Sequence, residues 1–316
     1  MVLKYDHRYV WDHWMFDDGE KFHIFYLQAQ RQTNNASERH LNASIGHATS
    51  TDLKNWSEVG TALHKSTPGS WDDVATWTGS VVHNPHIDEY LLFYTGVHKS
   101  NEGLVQAIGI ATSKDLVDWN KYGSGPVAQS DPSHYACQEN GSRDTDFRDP
   151  WVFYDERDSK WHMLITATSL TDSNITSRGI VGHAVSEDLF SWQVLPPLTG
   201  SSGFGQTEVL QVVEENGKFV GIFCCGSDYI KDKPERFTTG TYSVPMDSPT
   251  GPFHFDRADI FDAPNIYAGR VIRDREGRLN LIGFLTASHD SQAPCEMSDP
   301  IPVRLTPNGT LQVKGA

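Results

Sequence analysis

The chain has 316 residues, with 26 Lys+Arg against 41 Asp+Glu and a formal charge of −15. That length suits one large all-β domain or two ordinary ones. The acidic balance argues against nucleic acid or an anionic membrane as partner, since either needs a basic face. It leaves an uncharged substrate such as a sugar open. Nine Trp, eleven Tyr and fifteen Phe offer flat faces for sugar rings, although β-strand packing uses aromatic residues just as readily.

The N-terminus, Met1-Val2-Leu3-Lys4-Tyr5-Asp6, has no apolar signal core, and no apolar run is long enough for a membrane helix. Helical periodicity is almost absent; short apolar runs alternate with Gly, Asn, Asp and Ser, which predicts an all-β chain. A first mark is Asp12, in Val10-Trp11-Asp12-His13-Trp14, followed by a predicted strand over 22–29 and the segment Ile45-Gly46-His47-Ala48-Thr49-Ser50-Thr51-Asp52-Leu53-Lys54-Asn55-Trp56. That pattern repeats: Gly79, a strand over 90–97, then Ile108-Gly109-Ile110-Ala111-Thr112-Ser113 running to Asp115-Leu116 and Trp119. It repeats again as Asp149, a strand over 161–168, then Val181-Gly182-His183-Ala184 running to Ser186, Asp188-Leu189 and Trp192. A fourth round has Glu208, a strand over 219–226 and a degenerate Gly240-Thr241-Tyr242-Ser243; a fifth has Gly269 and a strand over 279–286.

The five marks lie 67, 70, 59 and 61 residues apart. Five such units, each with about four antiparallel strands, describe a five-bladed β-propeller, read as a single domain over 1–316 with no appended β-sandwich. The Ser-x-Asp-Leu-x-x-Trp repeat is then structural: Ser and Asp shape a turn and Trp packs between blades. Strands nearest the axis converge at one end of a propeller, so Asp12, Asp149 and Glu208 should meet in one funnel. Crowded carboxylates spread their pKa values, so that one can act as an acid while another stays ionised. Glycosidic bond cleavage needs that pairing.

Arg148-Asp149-Pro150 is the densest motif. Proline fixes φ and lacks an N–H, so Arg148-Asp149 is expected to end a loop and a strand to begin at Trp151. The bland alternative is an Arg–Asp ion pair that stitches two strands. The polar loop over 131–146 is expected to form part of the funnel wall.

Four cysteines, Cys137, Cys224, Cys225 and Cys295, show no CxxC spacing, so neither a zinc site nor a redox pair is expected. No metal or other cofactor is assigned. Free thiols and the missing signal core favour the cytoplasm. Six Asn-x-Ser/Thr sequons, at Asn35, Asn42, Asn55, Asn140, Asn174 and Asn308, point instead to a secreted form whose leader has been removed.

These residues resemble a known group. Arg148-Asp149-Pro150 and Trp77-Thr78-Gly79-Ser80 are similar to motifs of glycoside hydrolase families 32 and 68, the invertases, fructanases and levansucrases; family 43 shares their five-bladed fold. Val10-Trp11-Asp12-His13-Trp14 resembles the levansucrase segment that carries the nucleophile. Phe25-Tyr26-Leu27-Gln28, Gly46-His47-Ala48 and Thr207-Glu208-Val209 resemble invertase segments. The likeness spans roughly 10–313. The invertase Asn-Asp-Pro-Asn-Gly signature is missing, Ile45 stands where Trp is usual, and Val209 and Leu210 replace Cys and Pro.

The resemblance implies Asp12 as nucleophile, Glu208 as acid/base, and Asp149 as stabiliser of the oxocarbenium-like charge, kept ionised by Arg148. Trp77 and Trp14 would form a stacking wall, Gln28 and Ser80 would bond sugar hydroxyls, and Tyr267 is a weaker candidate for substrate contact. The expected activity is retaining, β-fructofuranosidase-type cleavage or fructosyl transfer on sucrose or a short fructoside. The alternatives are an inverting arabinofuranosidase or xylosidase of the family 43 type and a non-catalytic carbohydrate-binding propeller.

Overall fold

The computed structural model describes residues 3–31, 36–142, 145–230, 232, 234–263, 265–286 and 296–315. The sequon at Asn35 and Cys295 lie outside them. Among the described residues there is no α-helix, only strands and four short 3-10 turns. Each predicted apolar run is a strand: Phe22–Gln30, Glu89–Ser100, Lys160–Thr168, Lys218–Cys225 and Leu279–Leu285. These runs are apolar on both faces because each is the second strand of its blade, covered by a neighbouring blade on either side.

The innermost strands are Arg8–Asp17, Ala75–Asn84, Phe147–Asp155, Glu208–Glu215 and Ile266–Arg273. Each opens a sheet whose strands follow in sequence order and pair antiparallel, four to a blade. The second blade carries an additional two-residue strand, Ala128–Gln129. Every innermost strand packs against those of both neighbouring blades, and the fifth returns to the first, which closes the ring. This is a five-bladed propeller.

The Ser-x-Asp-Leu-x-x-Trp repeat is structural. Asp52, Asp115 and Asp188 each accept backbone N–H groups two and three residues on, with Oδ1 at 2.7–2.9 Å. The following leucines, Leu53, Leu116 and Leu189, take positive φ of 63°, 63° and 71° to close the turn. The tryptophans then reach the blade before: Trp119 meets Phe25 edge to face at 5.7 Å and Trp192 meets Phe93 at 5.5 Å. The core is therefore a set of inter-blade layers, and the axis is left for polar groups.

All five innermost strands are bulged at the marked position: Trp11/His13, Trp77/Gly79, Arg148/Trp151, Glu208/Gln211 and Tyr267/Arg270. A bulge leaves residues unpaired and re-aims their side chains, here near the end of the strand at the funnel. Arg148-Asp149 therefore lies inside a strand that already begins at Phe147, not at the end of a loop. The register breaks around Pro150, where the missing N–H costs no ladder bond, and Asp149 takes φ 58°.

Candidate active site

A cavity of about 240 Å³ opens at the funnel end, lined by Asp12, Leu27, His40, Trp77, Thr78, Gln106, Asp146, Arg148, Asp149, Gln206 and Glu208. The three marked acids thus share one space although they come from blades one, three and four. Larger clefts exist on the outer rim, between blades four and five and between five and one. Neither gathers converging buried acids.

Blades two and five carry no acid at their marks. A Cβ at Gly79 would lie 1.8 Å from the Phe93 carbonyl oxygen, and one at Gly269 would meet Thr241 and Leu281 at 2.8 Å. These two blades supply donors instead. Thr78 Oγ1 donates to Asp12 Oδ2 at 3.2 Å, and the Tyr267 hydroxyl donates to Glu208 Oε2. Arg148 Nη2 donates to Glu208 Oε1 at 2.6 Å and its Nη1 to Asp146. Its Nε stands 3.5 Å from Asp149 Oδ2, so its tightest partners are Asp146 and Glu208 rather than the adjacent Asp149. Asp149 is held mainly by the Thr166 hydroxyl at 3.1 Å and the Val209 N–H at 3.2 Å, which reaches it from the blade-four bulge.

The electrostatics follow from burial and from the crowding of like charges. Burial, then the charges of Asp149 and Glu208, push Asp12 up from 3.8 to about 7. Burial also raises Asp149, against the pull of Arg148 and the Val209 N–H. It raises Glu208 as well, against Arg148 and Tyr267. Burial disfavours the Arg148 charge, but Asp146, Glu208 and Asp149 outweigh it and hold the guanidinium well above its ordinary value. Tyr267, half-buried beside the Glu208 charge, is also held well above the ordinary phenol value by desolvation and by that charge. All three carboxyl shifts run upward, and acids this close titrate as a coupled set.

Not every expected residue reaches the cavity. Trp77 does, with its indole N–H anchored on the His40 carbonyl at 2.7 Å. Trp14 does not: it is fully buried and stacked on Phe25 at 6.0 Å, because it points into the layer between blades. Gln28 is buried and donates to Thr61 Oγ1 at 2.9 Å, and Ser80 is buried and accepts the Val152 N–H at 3.1 Å. Both are committed to holding strands together. Tyr267 faces Glu208 rather than the open cavity. Not singled out by the sequence reading were Thr78, inside a quoted motif, and Asp146, the last residue of the loop over 131–146, just before the strand that begins at Phe147. His40, Gln106 and Gln206 carried no signal. Of the loop over 131–146, Asp146 lines the funnel, whereas Tyr135, Ala136 and Cys137 are buried against blade three.

Among the described residues one cluster, Asp155, Asp158 and His162, has donors close enough to share a metal ion. Its donors are already engaged: Arg157 Nε meets Asp155 Oδ1 at 2.9 Å, and His162 Nε2 meets Asp158 Oδ2 at 3.0 Å.

Comparison with known proteins agrees with this geometry. The model of the glycosyl hydrolases family 32 N-terminal domain matches residues 13–301. The chain belongs to glycoside hydrolase family 32. The match begins one residue after Asp12, so the blade-one acid rests on the geometry alone. Among relatives, an insoluble β-fructofuranosidase isoenzyme of Arabidopsis thaliana is 28% identical over 80% of this chain and 43% of its own length. A 6(G)-fructosyltransferase of Asparagus officinalis is 29% identical over 63% of this chain and 31% of its own. The chain spans less than half the length of these relatives. Among solved structures, a Bombyx mori family 32 β-fructofuranosidase superposes with TM-score 0.76 at 22% identity, covering 99% of this chain and 64% of that one. An inulosucrase of Halalkalicoccus jeotgali superposes with TM-score 0.76 at 19% identity over 98% of this chain and 89% of that one. No described helix of this family 32 chain is long and apolar enough to cross a membrane. The relatives include insoluble and cell-wall isoenzymes, which lend the cytoplasmic expectation no support.

Proposed function

We propose that the funnel is the active site of a retaining β-fructofuranosidase-type enzyme that cleaves, or transfers, the fructosyl group of sucrose or a short fructoside. The observation that carries this reading is the convergence of Asp12, Asp149 and Glu208 around one cavity in a family 32 chain. A Bombyx mori family 32 enzyme has been solved in complex with sucrose. The family 32 match disfavours the family 43 alternative, and acids crowded at a desolvation cost disfavour a purely binding propeller.

In this mechanism an Asp12 oxygen attacks the anomeric carbon while the bond to the leaving oxygen breaks. Glu208 gives its proton to that oxygen, and the leaving group departs as an alcohol. A glycosyl ester on Asp12 results. Glu208, now ionised, takes a proton from water or from a sugar hydroxyl, whose oxygen attacks the anomeric carbon and frees Asp12. Asp149 stabilises the positive charge on the ring between these steps. Arg148 donates to Glu208 but cannot accept, so the Glu208 proton belongs on the Oε2 side, where the Tyr267 hydroxyl can turn to accept it. The coupled set serves the reaction when a proton sits on Glu208 and Asp12 is bare.

The cavity has room for one sugar ring, with Trp77 as its flat wall, which suits a terminal fructosyl unit and a small substrate. The test is a panel of sucrose, inulin, levan and nitrophenyl pentosides. Release of fructose from sucrose or short fructosides is expected. Activity on pentosides alone would overturn the reading, and so would sugar binding in calorimetry without turnover after long incubation.

A further inference from the structure

Arg270 lies on the blade-five bulge, next to Gly269, and is 1% exposed. Its side chain crosses the axis beneath the funnel. Nε donates to the His13 carbonyl at 3.4 Å, and Nη1 donates to the Leu210 carbonyl. The guanidinium lies over the Trp151 ring at 5.2 Å. These three contacts have a common logic. His13 follows Asp12 directly, Leu210 is two residues beyond Glu208, and Trp151 is two residues beyond Asp149. One side chain from an acid-free blade therefore touches all three acid-bearing bulges.

We propose that Arg270 is the positioning residue of the triad: it fixes the bulges that carry Asp12 and Glu208 at their working separation and sets a cation beneath the acids. This rests on the reading of the funnel as a glycosidase site. A guanidinium suits the task because its planar fork serves two carbonyls and an aromatic face at once. Its charge is retained inside: burial lowers its pKa only to about 10, with Asp149 and Asp12 opposing the fall. His13, buried next to it, is held neutral at about 3 by burial and by that same charge.

The experiment compares wild type, Arg270→Gln and Arg270→Lys on sucrose, with thermal melts across pH. For Arg270→Gln, kcat should fall roughly 100-fold with KM within about threefold, because misplacing the acids damages the transition state more than the ground state. The acid limb of its pH profile should move up as Asp149, and the acids coupled to it, lose the buried cation. Arg270→Lys keeps the buried charge but serves one carbonyl, so its acid limb should stay put while kcat falls about tenfold. Should the Gln protein not fold, the Lys protein decides alone. A kcat within threefold of wild type in either variant, whatever the loss in Tm, would reduce Arg270 to a structural rivet and overturn the proposal. Absence of turnover in wild type would sink the glycosidase reading instead. In that case the Tm readout still tests Arg270: its loss should steepen the fall of Tm with rising pH when Asp149 is present and not in Asp149→Asn.

Discussion

Replacing Asp12 by Asn should make the protein inactive and more stable, and the gain should depend on pH with a sign the structure dictates. The folded state lifts the Asp12 carboxyl from 3.8 to about 7. Below about pH 4 the group is protonated in both folded and unfolded chains, so it makes no difference to stability. Between there and about pH 7 the unfolded chain ionises freely while the folded site resists, so stability falls as pH rises. Above about 7 the cost is complete. Three units correspond to about 4 kcal/mol at most, and because Asp12 keeps partial contact with funnel water, about 2 kcal/mol is the better expectation. For a chain of this size that is a rise in Tm of roughly 3 °C. Melts of both proteins from pH 4.5 to 8.5 should converge at the acid end and separate above neutrality. An Asn protein no more stable than wild type at pH 8, or a difference that does not change with pH, would refute the electrostatic account. Turnover supplies a second check. More than about a tenth of the wild-type rate, only ~1.4 kcal/mol in the barrier, would remove Asp12 as nucleophile.

Glu208→Gln should cripple hydrolysis of sucrose and do least harm to substrates whose leaving group needs no protonation; equal losses across a leaving-group series would point to another acid. Tyr267→Phe removes a donor to the Glu208 carboxylate, which should raise the Glu208 pKa and carry the alkaline limb of kcat/KM to higher pH. A downward shift would show that Tyr267 stabilises the protonated acid instead. Trp77→Ala should raise KM about tenfold, close to 1.4 kcal/mol, by removing the wall of the cavity. Trp14→Phe should lower Tm and leave KM unchanged, since Trp14 sits between blades; a changed KM would return it to the substrate wall.

The sequence made the framework legible because a propeller repeats it. Five rounds of mark and apolar strand, four of them followed by Gly-x-Ala or its remnant, locate the blades, and the strand expected over 161–168 is Lys160–Thr168. Periodicity says which strand a residue occupies, not which way a bulge turns it. That is why Trp14 and Ser80, each two residues from a cavity-lining position, are expected in the funnel, although one stacks on Phe25 and the other holds the Val152 N–H. It is also why Arg148 was paired with its chain neighbour Asp149: on a bulged strand its guanidinium swings past that residue to Asp146 and Glu208. His40 and Gln206 come from segments without a repeat, and only the closed ring brings them to the axis.

The uneven chemistry of five equivalent bulges has a physical reason. Asp146 and the three marked acids already press on one another around Arg148, and Asp12 shows the cost in a carboxyl lifted to about 7. A carboxylate from blade two or five would add another like charge to the same cavity. Gly79 and Gly269 keep those two positions empty, and a side chain at either would strike the Phe93 carbonyl or Thr241. The neighbouring residues Thr78, Tyr267 and Arg270 then bring what the acids lack, two hydroxyl donors and a second buried guanidinium. On this argument an Asp at position 79 or 269 should be worse than an Asn of the same size. The shared part of the loss is steric, and the excess, read as a difference in Tm that widens above neutral pH, measures the repulsion that keeps acids off two of the five blades.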